Sequence, residues 1–203
     1  YCLSDFINSE DDYIGAFAVM VGPEVNSICQ KFEEEQDDYS SIMVKVLADR
    51  LAEAFAEKLH KDIREIHWGY APNEKLSKEE LIKEKYIGIR PAPGYPACPD
   101  HSEKLMLWEL LDIKNNSKLQ LTESFAVYPA SSVTGWYFSH PESKYFSISR
   151  ISNEQLNDYS ERKNINSKKT ELKKDFKSLN IIDCLKKILV SPNNSEKSWV
   201  WEQ

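Results

Sequence analysis

None of the four cysteines (Cys2, Cys29, Cys98, Cys184) stands in a C-x-x-C pair with another. Without such spacing there is no disulfide framework to read, and scattered free thiols fit a reducing, cytoplasmic setting. No apolar run approaches the roughly 20 residues that a membrane-spanning helix needs, so no membrane association is expected. The opening residues, Tyr1-Cys2-Leu3-Ser4-Asp5-Phe6, lack the basic start and long apolar stretch of a signal peptide. Because the chain begins without Met, a fragment of a longer protein is expected. G-x-G-x-x-G and Walker A sequences are missing, which removes the usual phosphate cradles. No G-x-S-x-G elbow frames a nucleophile, so no catalytic side chain is nominated. Cys98-x-x-His101 supplies two metal ligands and no second pair completes a tetrahedron, so no metal-binding residue is nominated either.

What is there suits an ordinary globular chain. The 203 residues are 41% hydrophobic and 29% charged, enough apolar material for one domain, or one domain with an appendage, without a disulfide or metal staple. Charge is unevenly spread: residues 1–160 carry a net −11, and residues 161–203 a net +4. An acidic body lacks the clustered Lys and Arg that phosphate binding requires, which argues against nucleic acid as a partner. The acidity serves either solubility or the docking of a basic partner.

Hydrophobic patterning divides residues 1–163 into helices and strands. Tyr13–Val21 is short, apolar and partly β-branched, and reads as a buried strand broken by Gly22-Pro23. A helical stretch over Val25–Glu34 follows. From Asp37 to about Ile63, Tyr39, Ile42, Met43, Val46, Leu47, Leu51, Ala54, Phe55 and Leu59 recur at three- and four-residue steps. That spacing predicts one long amphipathic helix packed through this stripe. Ile66–Tyr70 is expected as a short strand. Ser77-x-x-Glu80 is a capping-box pattern for a helix through Tyr86, stopped at Gly88. Asp100-x-x-Glu103 opens another through about Asp112, with Leu105, Leu107, Trp108 and Leu111 to pack. Thr122–Tyr128, Ser132–Ser139 and Tyr145–Ile151 read as three strands with short links, an antiparallel meander. Ser152-x-x-Gln155 caps a helix carrying Leu156 and Tyr159. Beyond about Lys163 the chain turns Lys/Asn/Ser-rich, with one apolar cluster at Leu179–Val190. Helices and strands do not alternate strictly and the last strands are consecutive, so the fold class is α+β with helices against a mainly antiparallel sheet.

The segment least explained by folding alone is Arg90–Pro99, with four prolines in the nine positions from Pro91. Four φ angles are set and four backbone donors removed, so little entropy is lost when a ligand binds there. Gly94 lets backbone approach a ligand, Tyr95 offers a flat face and a hydroxyl, and Arg90 is a fork-shaped donor for a carboxylate. The free carbonyls of the loop could accept from an adenine amino group. A rigid connector between two capped helices accounts for the same residues. Glu53 lies on the long helix beside the apolar stripe, with Arg50 and Glu57 on its flank. It is either half of a solvated Arg50–Glu53 pair or a carboxylate that receives an ammonium group. Tyr145 and Phe146 follow a turn, where aromatics either stack on a ligand or fill the core.

Several strings, in order and spacing, resemble the C-terminal activation domain of cobalamin-dependent methionine synthase. They are Asp12–Val19, Ala48–Glu57, Trp68–Glu74, Gly88–Lys104, Leu121–Ser124 and Gly135–Pro141. The resemblance covers roughly residues 1–163, leaves 164–203 as a divergent tail, and is most specific in the Arg90–Pro99 loop. It implies a C-shaped α+β domain with a bent antiparallel sheet. The role it implies is to present S-adenosylmethionine to oxidised cobalamin while a flavodoxin or flavoprotein reductase supplies one electron, so that methylcobalamin is restored. Under the resemblance Arg90 matches the partner of the ligand carboxylate and Glu53 the acidic residue near its amino group. Ala92, Gly94 and Tyr95 match the loop along the adenosine and sulfonium, and Tyr145 and Phe146 the opposite wall. The partners implied are the cobalamin-binding domain of the same enzyme and the electron donor. The family's domain begins upstream and contributes a further acidic ligand residue there, so an N-terminally incomplete domain is expected, one that alone does not make methionine. The rival expectation is a non-catalytic docking module that recruits the reductase with an inactive ligand site.

Overall fold

A computed structural model of the chain describes residues 1–8, 10–148 and 151–163. Its organising unit is an antiparallel pair, β1 (Gly15–Met20) and β4 (Ser132–Tyr137), in register from Gly15 opposite Tyr137 to Met20 opposite Ser132. Successive side chains of a strand point to opposite faces, and both faces of this pair are covered. Trp136 and Phe138 pack on one side with Leu3, Phe6, Ile89, Cys98 and Leu107. Tyr137 packs on the other with Phe17, Val19 and Ala56.

That second face rests on the long helix α2 (Asp38–Asp62), preceded by α1 (Glu24–Glu34). Asp37 caps α2 by accepting from Ser40 N–H at 3.0 Å. The apolar stripe expected to bury this helix is not what it buries. Tyr39, Ile42, Met43, Val46, Leu47, Leu51 and Phe55 are exposed, Leu51 at 61%, and only Leu59 of the large residues packs against the second cluster. The buried row is Ser41, Ala48, Ala52, Ala56 and His60. From Ala48 these stand at i, i+4 spacing, and their small side chains let the helix backbone come close to the strands.

Four further expectations change. Ile66–Tyr70 is no strand: α2 runs on into a π-helical turn over Ile63–His67, and the N–H groups of Trp68 and Gly69 both close onto Ile63 O at 3.0 Å. The helix after Ser77 forms its capping box but stops early (α3, Lys78–Ile82), because Glu84 takes a left-handed φ of 53° and Tyr86 turns inward. The helix from Asp100 is split. A 3-10 turn His101–Glu103 leads into α4 (Lys104–Leu110), and Asp112 at φ 47° breaks it before α5 (Ile113–Asn116). Leu107 is buried there and Leu105 is exposed.

The meander is replaced by a local hairpin, β2 (Gln120–Leu121) with β3 (Val127–Tyr128), while β4 pairs back to β1 across more than a hundred residues. Tyr145–Ile148 is not strand. The last described helix, α6 (Asn153–Lys163), starts at the reciprocal Ser152–Gln155 cap. The class is α+β, with two small antiparallel pairs among the described residues. The Lys/Asn/Ser-rich tail with Leu179–Val190 lies outside the described residues.

Candidate ligand-binding cleft

The Arg90–Pro99 loop crosses the face of β4 at its glycine. Trp136 N–H donates to Pro91 O at 2.9 Å, and a Cβ on Gly135 would meet that carbonyl at 2.7 Å and the Phe17 ring at 2.9 Å. Only glycine allows the crossing at this height. The far end of the loop is held by burial, with Ala97 and Cys98 in the first core cluster. Between these anchors the loop bonds to itself: Gly94 N to Cys98 O at 2.7 Å, Cys98 N to Tyr95 O at 2.9 Å and Tyr95 N to Ala92 O at 3.2 Å. Several loop carbonyls expected to be free are therefore engaged. Gly94 has φ 101°, and a Cβ there would meet the His101 ring at 2.4 Å, so it shapes the turn and makes room for His101.

Folded this way, the loop forms one wall of a cleft of about 280 Å³. Its lining is Glu53, Glu84, Arg90, Pro91, Ala92, Tyr95, Pro96, Ala97, Val133, Tyr145 and Phe146. Six of the seven residues nominated from sequence meet here, namely Glu53, Arg90, Ala92, Tyr95, Tyr145 and Phe146; Gly94 does not line it. A second cleft of similar size shares Glu53, Tyr95 and Val133, so Glu53 stands between two adjoining depressions. Among the described residues Glu53 forms no ion pair with Arg50; the ion pairs near this flank belong to Glu57 and to the π-helical turn. Phe146 backs onto the core, with ring centroids 6.0 Å from Tyr1 and 6.4 Å from Phe6.

Behind Arg90 is a polar network that the sequence alone did not reveal. Its Nη2 pairs with Glu57 Oε2 at 2.7 Å, and its Nη1 donates to Tyr86 Oη at 3.1 Å and lies 3.4 Å from His60 Nδ1. Its backbone N–H donates to Tyr145 Oη at 3.0 Å. His60 is fully buried, stacked on Tyr137 at 5.1 Å and edge-on to Tyr86 at 4.9 Å. Burial, with Arg64 and Arg90 adding to it, lowers its pKa to about 2, so it is neutral and can accept from Arg90. Arg64, also fully buried, makes a two-pronged pair with Glu74 (Nε–Oε2 2.9 Å, Nη2–Oε1 2.6 Å) and lies 4.3 Å over the Tyr86 ring. Burial pushes the Tyr86, Tyr137 and Tyr145 phenols up, and all three stay protonated near neutrality. One signal for this network was legible: His60 continues the Ala48, Ala52, Ala56 row.

Chemically, the cleft offers a guanidinium, two carboxylates (Glu53 and Glu84), aromatic faces and a stiff Pro/Ala wall. None of its lining residues is a Ser, Cys, Lys or His. A ligand with a carboxylate, a cationic centre and a flat ring suits those groups.

Comparison with known proteins agrees with this geometry. Residues 1–164 match the family described as vitamin B12 dependent methionine synthase, activation domain. Among solved structures, the crystal structure of the MetH reactivation domain bound to AdoHcy is 53% identical and superposes with a TM-score of 0.82. The match covers 89% of this chain and 57% of that one, so the chain spans little over half of that relative.

Proposed function

This chain belongs to the activation domain family of vitamin B12 dependent methionine synthase, and from that premise we propose that its cleft binds S-adenosylmethionine. Arg90 takes the carboxylate of the amino-acid moiety and Glu53 its ammonium group. Ala92 and Tyr95 lie along the adenosine and sulfonium, with Gly94 shaping that stretch of loop, and Tyr145 and Phe146 form the opposite wall. The reading rests above all on convergence: α2, the proline loop and the 145–146 segment, far apart in sequence, bring these groups into one cleft. The relative crystallised with AdoHcy, the demethylated form of the same ligand, adds support.

The sulfonium methyl is already activated, and its transfer to cob(II)alamin together with one electron yields methylcobalamin and S-adenosylhomocysteine. The chain's own role is therefore to bind and orient, and no side-chain nucleophile is required. In this reading cobalamin sits on another domain of the same enzyme, a flavodoxin or flavoprotein reductase supplies the electron, and the setting is cytoplasmic. In the same reading, methionine formation needs the enzyme's other domains as well. Isothermal titration with S-adenosylmethionine tests the site. Arg90→Ala is expected to lose about 1.5–3 kcal/mol of binding, the scale of a hydrogen bond to a charged group. Unchanged affinity in that variant would remove Arg90 from the site.

A further inference from the structure

Arg90 lines the cleft, whereas Glu57, His60 and Tyr86 do not. These three meet the guanidinium at 2.7, 3.4 and 3.1 Å. A guanidinium has five N–H donors in a fixed plane and no acceptor. Three engaged donors set the plane and leave two for a ligand.

Tyr86 differs from the other two because it meets Arg90 through a hydroxyl that lies near Tyr145. Its hydroxyl accepts from Arg90, so its own proton must go elsewhere, and the Tyr145 hydroxyl is its neighbour. Tyr145 Oη already accepts from Arg90 N–H at 3.0 Å. Tyr145 lines the cleft beside Arg90, and the N–H groups of Arg90 left over from its protein partners are the donors available to an anion there. Burial keeps the Tyr86 phenol protonated and its ring is pinned between Arg64 and His60, so this direction of hydrogen bonding is built in.

We propose that Tyr86 is a positioning residue which, through its hydroxyl, orients the Arg90 guanidinium and so makes the cleft selective for the carboxylate of its ligand. This rests on the assignment of Arg90 to the ligand carboxylate. The test compares S-adenosylmethionine with its decarboxylated analogue by isothermal titration, on the unaltered chain and on Tyr86→Phe, which keeps the ring and removes only the hydroxyl. The unaltered chain is expected to prefer the carboxylate-bearing ligand by about tenfold or more. Tyr86→Phe should shrink that preference about three- to tenfold and leave the decarboxylated ligand's affinity unchanged. Equal weakening of both ligands would make Tyr86 merely structural, and an undiminished preference would deny it any role; either overturns the proposal. Failure of the unaltered chain to discriminate would overturn the carboxylate assignment itself, and this inference with it. If Tyr86→Phe does not fold, Tyr86→Met, which also removes the hydroxyl, must produce the same selective loss; a loss on both ligands, or on neither, overturns the proposal.

Discussion

The buried and the exposed positions of α2 are made of opposite materials. Ala48, Ala52, Ala56 and His60 are buried, while Tyr39, Ile42, Leu47, Leu51 and Phe55 are exposed. Most large apolar side chains of this helix therefore lie outside the described core. The inner face stabilises through close approach and through a polar network, with His60 and the Arg64 of the following turn completely withdrawn from water. What the contrast teaches is that hydrophobic periodicity identifies a face, whereas burial depends on what packs against it. Large side chains hold a helix off its neighbour, and a row of alanines lets the network behind Arg90 fit between α2 and β4.

The sharpest way to break this contrast is at the end of the inner face. Glu74→Ala leaves the Arg64 guanidinium buried beside no carboxylate. Such a change is expected to cost about 3–5 kcal/mol in denaturant unfolding. A loss below about 1 kcal/mol would mean that Arg64 reaches water after the change. Next in size is a matched pair on the helix itself. Ala56 is fully buried against Phe17 and Tyr137, so Ala56→Leu should overpack and cost about 1–3 kcal/mol. Leu51→Asn on the exposed face should stay within about 0.5 kcal/mol. Equal losses from the two would erase the distinction between the faces.

The smallest effect concerns pH. In the unfolded chain His60 protonates at its ordinary pKa of 6.5, while in the folded chain it resists protonation down to about 2. Between those values the unfolded state holds more protons, so stability falls as pH falls through 6.5 and continues to fall toward 2. Roughly 1 kcal/mol should disappear between about pH 7 and 5.5, before carboxylates titrate. His101, lowered by burial as well but exposed at the surface, shifts stability in the same direction. His60→Phe keeps an aromatic ring on Tyr137 and should flatten most of the slope. A slope unchanged by that substitution would place the titrating group elsewhere.

Caps, helices and the proline loop were legible in the chain itself, because they depend on neighbours within a few residues. Ser77 and Ser152 cap as their spacing implies. Four prolines rule out helix and strand over 91–99 wherever the chain goes. The strings around Glu53, Arg90 and Tyr145 were enough to nominate a site, and six of its seven residues line one cleft. The pairing of β4 with β1 was not legible, since consecutive strand-like runs favour a local meander until a distant partner competes. Nor were Glu57, His60 and Tyr86: each is ordinary in its local context and gains its role only by meeting Arg90 across the fold.

By itself, then, the sequence determined the α+β class and the stiff loop, which follow from local stereochemistry and residue type, while its family resemblance nominated six of the residues that line the cleft. Tertiary structure alone decided which face of α2 is inside, how the loop bonds to itself and crosses at Gly135, and what stands behind the guanidinium. The physical reason is that burial, desolvation and hydrogen-bond direction are properties of an environment. An alanine row, a histidine and a tyrosine acquire theirs only when the helix, the loop and the strands close around them.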